Sequence, residues 1–487
     1  MHERGKSDSP AVPTKPPNKA GQPVAEVVEE RGLAKGNSDN TPRPGRSAGP
    51  DVPSGLDRVR EVARRDKDAR FTALLHHVDL GRIRAAYWAI NPRAATGADG
   101  MTWAAYGVDL EVNLEGLLRR LHDGSYRASP SRRVYIPKAD GRQRPLGIAT
   151  LEDKIVQRAV VEVLNAIYET DFLGFSYGFR PGRRPHDALD ALAVGIKQKK
   201  VNWVLDADIA NFFTRLDQGW LEKFLGHRIA DKRIMRLIRK WLRAGIIENG
   251  SWSETTEGTP QGASVSPLLA NVYLHYVLDR WVRQWRRRHA HGDVIIVRFA
   301  DDFVAGFEHR SDAQRFLHDL RKRFAKFALE LHPDKTRLIE FGRFASERRK
   351  VRGVGKPETF DFLGFTHICA QTGTGRFMLK RITISKRMRA KLREVNDQLK
   401  AHRHRPIPEQ GHWLGSVVRG HLAYYAVPGN SGAIRSFRTQ VIRQWCRTLR
   451  KRSQRHSLDW RRMNRLASRW IPPAHVLHPF PEARFYA

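Results

Sequence analysis

Two apolar stretches of this chain break on paired carboxylates, and that pattern limits the folds open to it more than any other feature. Residues 201–206 read as a short apolar strand running straight into acidic residues, with Asp206 and Asp208 alternating at its end. Residues 294–307 form a second apolar run, interrupted only by Arg298 and the pair Asp301-Asp302. They read as a hairpin whose tight turn carries both aspartates. If the strands are neighbours in one sheet, three or four carboxylates converge at one edge, and like charges so close are unfavourable unless a cation offsets them. Oxygen-only ligands of this kind suit Mg²⁺, which is held by one or two carboxylates plus substrate phosphates. Two such ions about 3.5–4 Å apart can activate an attacking hydroxyl and stabilise a leaving oxyanion. Each piece alone also has an ordinary explanation, since Asp favours turns for its own reasons and a strand-end Asp is commonly a cap. The carboxylates by themselves leave a structural role open beside a metal-binding one.

The surrounding chain is strongly basic: 487 residues carry 87 Lys+Arg against 51 Asp+Glu, a net charge of +36. An excess of that size points to a polyanion, nucleic acid above all. With 40% hydrophobic residues, 12 Trp and 22 Phe, a wholly disordered chain is excluded, and the length suggests about three domains. Cys369 and Cys446 lie far apart in no C-x-x-C pair. That excludes a disulfide scaffold, a zinc knuckle and a cysteine-ligated endonuclease module, and it fits a reducing compartment. No apolar run reaches the ~18 residues that span a bilayer, and the N-terminus lacks a signal-peptide stretch. The expectation is a cytoplasmic protein with no membrane partner, at the nucleoid when it acts on DNA.

Residues 1–55 hold nine of the 26 prolines and no Phe, Trp or Tyr, so they are expected to be disordered. Residues 56–200 mix helices and short strands. A strand is expected over 133–138, a turn at Ala139-Asp140-Gly141, and a helix over 154–168 with Ile155, Ala159, Val163 and Ile167 on its apolar face. Within 201–372, a long helix is expected to start near Pro267, with Ser266 as N-cap and Pro267 at the first helical position. From about 373 the chain turns helical and basic, with Ile384, Met388, Leu392, Val395 and Leu399 as one stripe. Residues 373–487 carry 25 Lys+Arg and five Asp+Glu, an excess of +20. Lys386, Arg387 and Arg389 stud the first of these helices. Arg443, Arg447, Arg450, Lys451, Arg452 and Arg455 form a second block beside Trp445. A solvated helix face normally carries both signs; acids are scarce here, and Arg-rich helices with aromatics suit phosphate contacts and stacking on unpaired bases.

The wording around the carboxylates carries a resemblance. Phe299-Ala300-Asp301-Asp302 closely resembles the Tyr-Ala-Asp-Asp box of reverse transcriptases, and Asp206-Ala207-Asp208-Ile209-Ala210-Asn211-Phe212-Phe213 resembles their first palm motif. Gly258-Thr259-Pro260-Gln261-Gly262, followed by Ser266-Pro267-Leu268-Leu269-Ala270-Asn271, is similar to their Pro-Gln-Gly motif and its helix. Ile136-Pro137-Lys138 with Arg144-Pro145-Leu146-Gly147-Ile148 resembles the fingers motif. Ser176-Tyr177-Gly178-Phe179-Arg180-Pro181-Gly182, then Leu331-His332-Pro333-Asp334-Lys335-Thr336 and Phe362-Leu363-Gly364-Phe365, follow in the family's order. Over roughly residues 56–487 the chain is similar to bacterial group II intron-encoded reverse transcriptase/maturases that lack the DNA endonuclease domain. Tyr424-Tyr425 and the basic tail fall where that family has its thumb and maturase domain.

The resemblance implies an α+β, right-hand polymerase: an N-terminal extension and fingers (56–200), a palm of antiparallel sheet flanked by helices (201–372), and a helical thumb/maturase domain (373–487). It implies that Asp208, Asp301 and Asp302, with the backbone of Ile209, hold two Mg²⁺ ions, with Mn²⁺ a possible substitute, and that the three aspartates are catalytic. Asp208 is preferred to Asp206 because it stands five residues before Phe213, the family's spacing to the aromatic that leaves no room for a ribose 2′-hydroxyl; Asp206 is expected to face away. Lys138, Arg144, Phe213, Gln261 and Lys335 would contact the dNTP, and Arg180 with the basic helices would contact nucleic acid. Implied partners are an RNA template, a DNA primer, dNTPs, a cognate group II intron RNA and target DNA. Taken singly, Lys138, Arg144 and Lys335 read as ordinary surface cations, Gln261 as a loop glutamine and Phe213 as a core aromatic. The chain departs from the family at Phe299 (usually Tyr), Thr214 (Asp), Gln218 (His), Ala263 (Gly) and Thr96 (Pro), none of them a metal ligand. Two other assignments share the motifs: a splicing cofactor with an impaired polymerase, and a reverse transcriptase recruited to antiphage defence.

Overall fold

The computed structural model describes residues 55–137, 143–248, 250–255, 257–259, 262–452 and 458–486. The expected turn at 139–141, Lys138, Gln261, Arg455 and the expected disorder of residues 1–54 lie outside them.

Helices α1 (Gly55–Arg65), α2 (Leu80–Trp88) and α3 (Leu110–His122) precede a hairpin of β1 (Ser131–Pro137) and β2 (Gln143–Ile148). The helix expected over 154–168 is longer, α4 (Leu151–Asp171): Thr150 caps it, accepting from the Asp153 N–H, and Glu152 and Asp153 complement the positive end of its dipole. Ile155, Ala159, Val163 and Ile167 are all fully buried. Helices α5 (Pro185–Gln198) and α6 (Lys232–Leu242) lie either side of β3 (Trp203–Asp208). That strand starts and ends two residues later than expected, because its ladder runs on to pair Asp208.

Strands β4 (Ile246–Glu248) and β5 (Ser251–Ser253) join the first hairpin in a sheet ordered β2-β1-β4-β5, with β4 parallel to β1. A segment inside the range expected for the palm therefore joins the sheet of the first hairpin. Helix α7 (Ser266–Leu274) begins at Ser266 itself, with Val265 in the cap position and no side-chain cap, so the expected capping role of Ser266 is corrected by one residue. A π turn, His275–Asp279, connects it to α8 (Arg280–Arg288).

The hairpin β6 (Val294–Phe299) and β7 (Asp302–Phe307), helix α9 (Arg310–Ala325) and strand β8 (Arg337–Glu340) complete an antiparallel sheet ordered β6-β7-β3-β8. A third sheet follows, β9 (Phe360–Phe362), β10 (Phe365–Gln371) and β11 (Phe377–Thr383). The chain is thus not yet helical at 373; the β10–β11 hairpin straddles that point, and α10 (Ser385–Ala401) opens the helical region. It continues through α11 (Ile407–Tyr425), α12 (Ser431–Arg450), α13 (Trp460–Trp470) and α14 (Pro481–Tyr486). The class is α+β, as expected.

Strand alternation sorts the side chains of the β6-β7-β3-β8 sheet into two cores. Leu205, Ala207, Phe303 and Ala305 face the large cluster built on α1–α4 and α7. Val204 and Val304 face the second, shared with α5, β9–β10 and, from the far end of the chain, Phe485. Phe485 lies on α14, which straps back onto α5 through Asp190: this buried carboxylate pairs with Arg381 of β11 and with Arg484. Burial holds Asp190 above the usual carboxylate range, and the two guanidiniums oppose that.

Candidate active site

Period-two alternation places Asp206, Asp208 and Asp302 on the face of the sheet that carries Val204 and Val304. Asp208 lies directly opposite Asp302 in the β3–β7 register. The expected hairpin turn carries Ala300 and Asp301, while Asp302 is already the first residue of β7. Like charges directly opposite across a ladder are destabilising, so this pair has a cost that an ordinary surface strand would not keep.

The field at the cluster follows from its geometry. Asp302 is exposed as a residue, yet the surrounding protein, then the Asp301 and Asp208 charges, push its carboxyl up to about 7, with Lys335 opposing. Burial raises Asp301 too; its own backbone N–H lowers it, Asp208 adds to the rise, and Arg144 and Lys335 counter it. Arg144, exposed on β2, therefore lies near enough for its charge to act on the turn that bears Asp301. Asp206 does not face away. It shares the cleft with Asp208, pairs with Arg337 of β8 at 3.3 Å, and is pushed to about 6 by burial, with Arg337 lowering it and Asp361 and Asp208 raising it. The expectation failed on parity: a spacing of two puts both aspartates on one face.

Among the described residues no three His, Cys, Asp or Glu side chains stand close enough to enclose one ion. Lys335 instead hydrogen-bonds Asp208, so a cation already sits against the cluster, as its repulsion requires. The cleft, about 380 Å³, is lined by Asp206, Asp208 and Asp302 with Lys335, Arg337 and Arg387, the last reaching in from α10. Ile209 is buried, and its bridge to Leu331 is closed by His332 N–H to Asp208 O and Ala210 N–H to Glu330 O, which leaves both backbone polar groups of Ile209 out of those two bonds.

The turn is held from behind by residues to which sequence reasoning assigned no role. Arg298, fully buried, donates to both carboxylate oxygens of Asp279 at 2.7 and 2.5 Å, to Asn271 at 3.0 Å and to the carbonyl of Ala300 at 2.9 Å. Asp279, on the π turn, is itself fully buried; burial raises its carboxyl and Arg298 opposes the rise. Asn271 donates to Gly178 O, and a Cβ at Gly178 would fall 2.2 Å from Ala300 N, so only glycine admits the turn there. Ala300 has φ +58°. The signal for this support was the single Arg in an otherwise apolar strand: a lone charge there must find a buried partner.

Phe213 is half-buried against the first core and meets Phe212 edge-on at 5.2 Å. The loop beside it is tied by Thr259 N–H to Phe213 O and by the Gln218 side chain donating to Gly258 O at 3.1 Å. Gly262 (φ +109°) packs on β2, where a Cβ would lie 2.8 Å from Gly147 O. Ala263 is buried and, unlike Gly262, is not at positive φ, so its methyl imposes no left-handed strain.

Two expectations for nucleic-acid contacts are corrected. Arg180 is buried: it pairs with Glu169 at 3.0 Å and donates to the carbonyls of Leu173 and Ser176, leaving no guanidinium edge for a phosphate. Trp445 is fully buried, its indole N–H donating to Gln410, so it cannot stack on a base. Arg387, Arg389, Lys386, Arg443, Arg447 and Arg450 are exposed on their helices.

Residues 136–367 match the family model described as reverse transcriptase (RNA-dependent DNA polymerase). The chain is similar to "Protein YkfC" of Escherichia coli K12, at 37% identity over 239 residues covering 43% of this chain and 62% of that protein. It is similar to "Group II intron-encoded protein LtrA" of Lactococcus lactis subsp. cremoris, at 35% identity covering 48% of this chain and 39% of that one. It is also similar to "Putative COX1/OXI3 intron 2 protein" of Saccharomyces cerevisiae, at 37% identity covering 35% and 20%. The chain spans less than two thirds of each of these relatives.

Proposed function

We propose that this chain, whose residues 136–367 belong to the reverse transcriptase family, copies RNA into DNA by two-metal nucleotidyl transfer. The observation that carries the reading is Asp208 set directly against Asp302, with Asp301 in the adjoining turn. The donor set is oxygen-only and electrostatically strained, which fits a hard divalent cation. Asp208, Asp301 and Asp302, with the Ile209 carbonyl, would hold two Mg²⁺ ions, or Mn²⁺ in their place. Bound there, the ions supply Lewis-acid activation of a primer 3′-hydroxyl and neutralise charge at the α-phosphate. Arg144, and Lys138 six residues before it in sequence, grip the triphosphate. Lys335, tethered to Asp208, is placed to pair with or protonate the departing pyrophosphate. Phe213 sits under the sugar and excludes a 2′-hydroxyl; Gln261 touches the nascent pair. The template is RNA and the primer DNA.

Given an RNA template, a DNA primer, dNTPs and Mg²⁺, the purified protein should extend the primer. Extension by an Asp301→Ala/Asp302→Ala variant equal to that of the wild type would sink the proposal.

A second reading stands beside the first: binding of a cognate group II intron RNA, and of target DNA, by the basic helices, so as to assist splicing and mobility in a bacterial cytoplasm and at its nucleoid. The excess of +20 over residues 373–487 favours it. Splicing of the cognate intron that survives the double-aspartate change but fails on charge reversal at Lys386 and Arg389 would separate binding from polymerisation.

A further inference from the structure

The groove between α12 and α13 has a volume of about 650 Å³. Its wall on α12 is an arginine ladder: Arg443, Arg447 and Arg450, spaced four and three residues apart, fall on one face. Arg438 adds a fourth guanidinium, held by the Pro472 carbonyl at 2.8 Å. On the opposite side stands Trp460, the first residue of α13, 42% exposed. Asn464 lies one turn beyond it on the same face, also exposed. Among the described residues, none of these four arginines makes an ion pair with a carboxylate. Asp459, beside Trp460 in sequence, is occupied by the Arg462 N–H it caps.

We propose that this groove binds an unpaired nucleotide segment of RNA, with a base stacked on Trp460, phosphates bridged by Arg443 and Arg447, and Asn464 placed at a base edge. The inference rests on the RNA-binding reading above and narrows it from a diffuse basic surface to one aromatic platform. Its physical basis is the combination of parts. A row of guanidiniums alone would take any polyanion, including a duplex backbone. An exposed indole adds affinity only for a π-face, and bases present their faces only when they leave the helical stack. Trp445, on the same helix as the ladder, cannot do this because it is buried; Trp460 supplies the platform from the neighbouring helix.

The test uses the full chain with its polymerase cleft saturated by a chain-terminated template–primer, so that the second site is read alone. Binding of a single-stranded oligoribonucleotide carrying 2-aminopurine is compared with that of an RNA duplex of equal length. Trp460→Ala should weaken the single strand about 10-fold or more, the range for loss of one stacked base, and leave the duplex unchanged. Trp460→Phe should retain binding and show the fold intact. Arg447→Gln should lower the salt slope by about one. Equal losses for single strand and duplex would overturn the proposal, as would no loss at all, or competition by polyglutamate as strong as by RNA. If the wild type binds neither RNA, the broader RNA-binding reading fails; if it binds and Trp460→Ala binds equally, only this site fails.

Discussion

Arg298→Met tests whether the turn that carries Ala300 and Asp301 is held from behind. The side chain is completely buried and satisfies both oxygens of Asp279, the Asn271 amide oxygen and the Ala300 carbonyl. Methionine keeps much of the volume and none of the four bonds. Removing one member of a buried pair costs roughly 3–5 kcal/mol, because the other charge stays behind, a large part of an ordinary domain's stability. The cost has a ceiling, since Asp279 can take up a proton. Its folded pKa, already raised by burial, would rise further without Arg298. A carboxylate with a raised folded pKa loses stability as pH climbs from its unfolded value to its folded one. The deficit of Arg298→Met should therefore be smallest in mild acid and grow toward neutrality. Because a chain of this size does not unfold in one step, the assay is hydrogen exchange of the β6 and β7 amides, which reads local opening. Replacing both partners, Arg298→Met with Asp279→Leu, should recover much of the protection, because no orphan charge remains. A single variant within about 1 kcal/mol of wild type, or a double variant as exposed as the sum of the singles, would refute the reasoning.

Mg²⁺ affinity should fall as pH drops from about 8 to 6, because Asp302, pushed up to about 7, and Asp206, pushed to about 6, take up protons there; calorimetry in buffers of different ionisation enthalpy should show protons released on binding. Lys335→Ala removes a half-exposed cation from Asp208, so Mg²⁺ should bind up to about 5-fold tighter, the worth of an exposed pair, while turnover falls in single-nucleotide kinetics. Phe213→Ala should raise ribonucleotide incorporation by about 10- to 200-fold, the range for one steric contact in a pocket, read as the ratio of kcat/KM for rNTP and dNTP. Arg180→Met should lower stability by roughly 3–5 kcal/mol and leave the salt dependence of RNA binding unchanged, since Arg180 faces Glu169 and two carbonyls.

The fold was legible where burial is periodic. The stripe Ile155, Ala159, Val163, Ile167 implied α4, and the apolar runs at 201–206 and 294–307 implied strands, with their pairing in one sheet left open, because a spacing of four or two survives any tertiary context that buries the face. Element ends were less legible. β3 was placed two residues early because Asp206 and Asp208 look like a strand's exit, whereas the ladder continues through them to meet Asp302. The parallel pairing of β4 with β1 brings together residues 131 and 246, and no local signal marks so distant a partner. The boundary drawn at 373 cut the β10–β11 hairpin for a related reason: Gly373 and Gly375 mark a turn as readily as a linker.

In the site, the clustered carboxylates to which a chemical role is proposed were legible and the residues that support their turn were not. Asp208, Asp301 and Asp302 stand out because clustered carboxylates contradict a chain with a charge of +36. Arg180 and Arg298 have the opposite problem: in such a chain another arginine looks like more of the same surface. Structure separates them by burial alone. Arg180 and Arg298 are buried against Glu169 and Asp279, while Arg443 and Arg447 stand exposed. The excess charge thus has two parts with different physics. Interior guanidiniums fix the loops around the turn that carries Asp301, and their contribution should be nearly blind to salt. Surface guanidiniums release counterions from whatever polyanion they meet, and theirs should fall steeply with it. A single salt titration of activity would mix the two, whereas primer extension at saturating template isolates the first and RNA affinity the second.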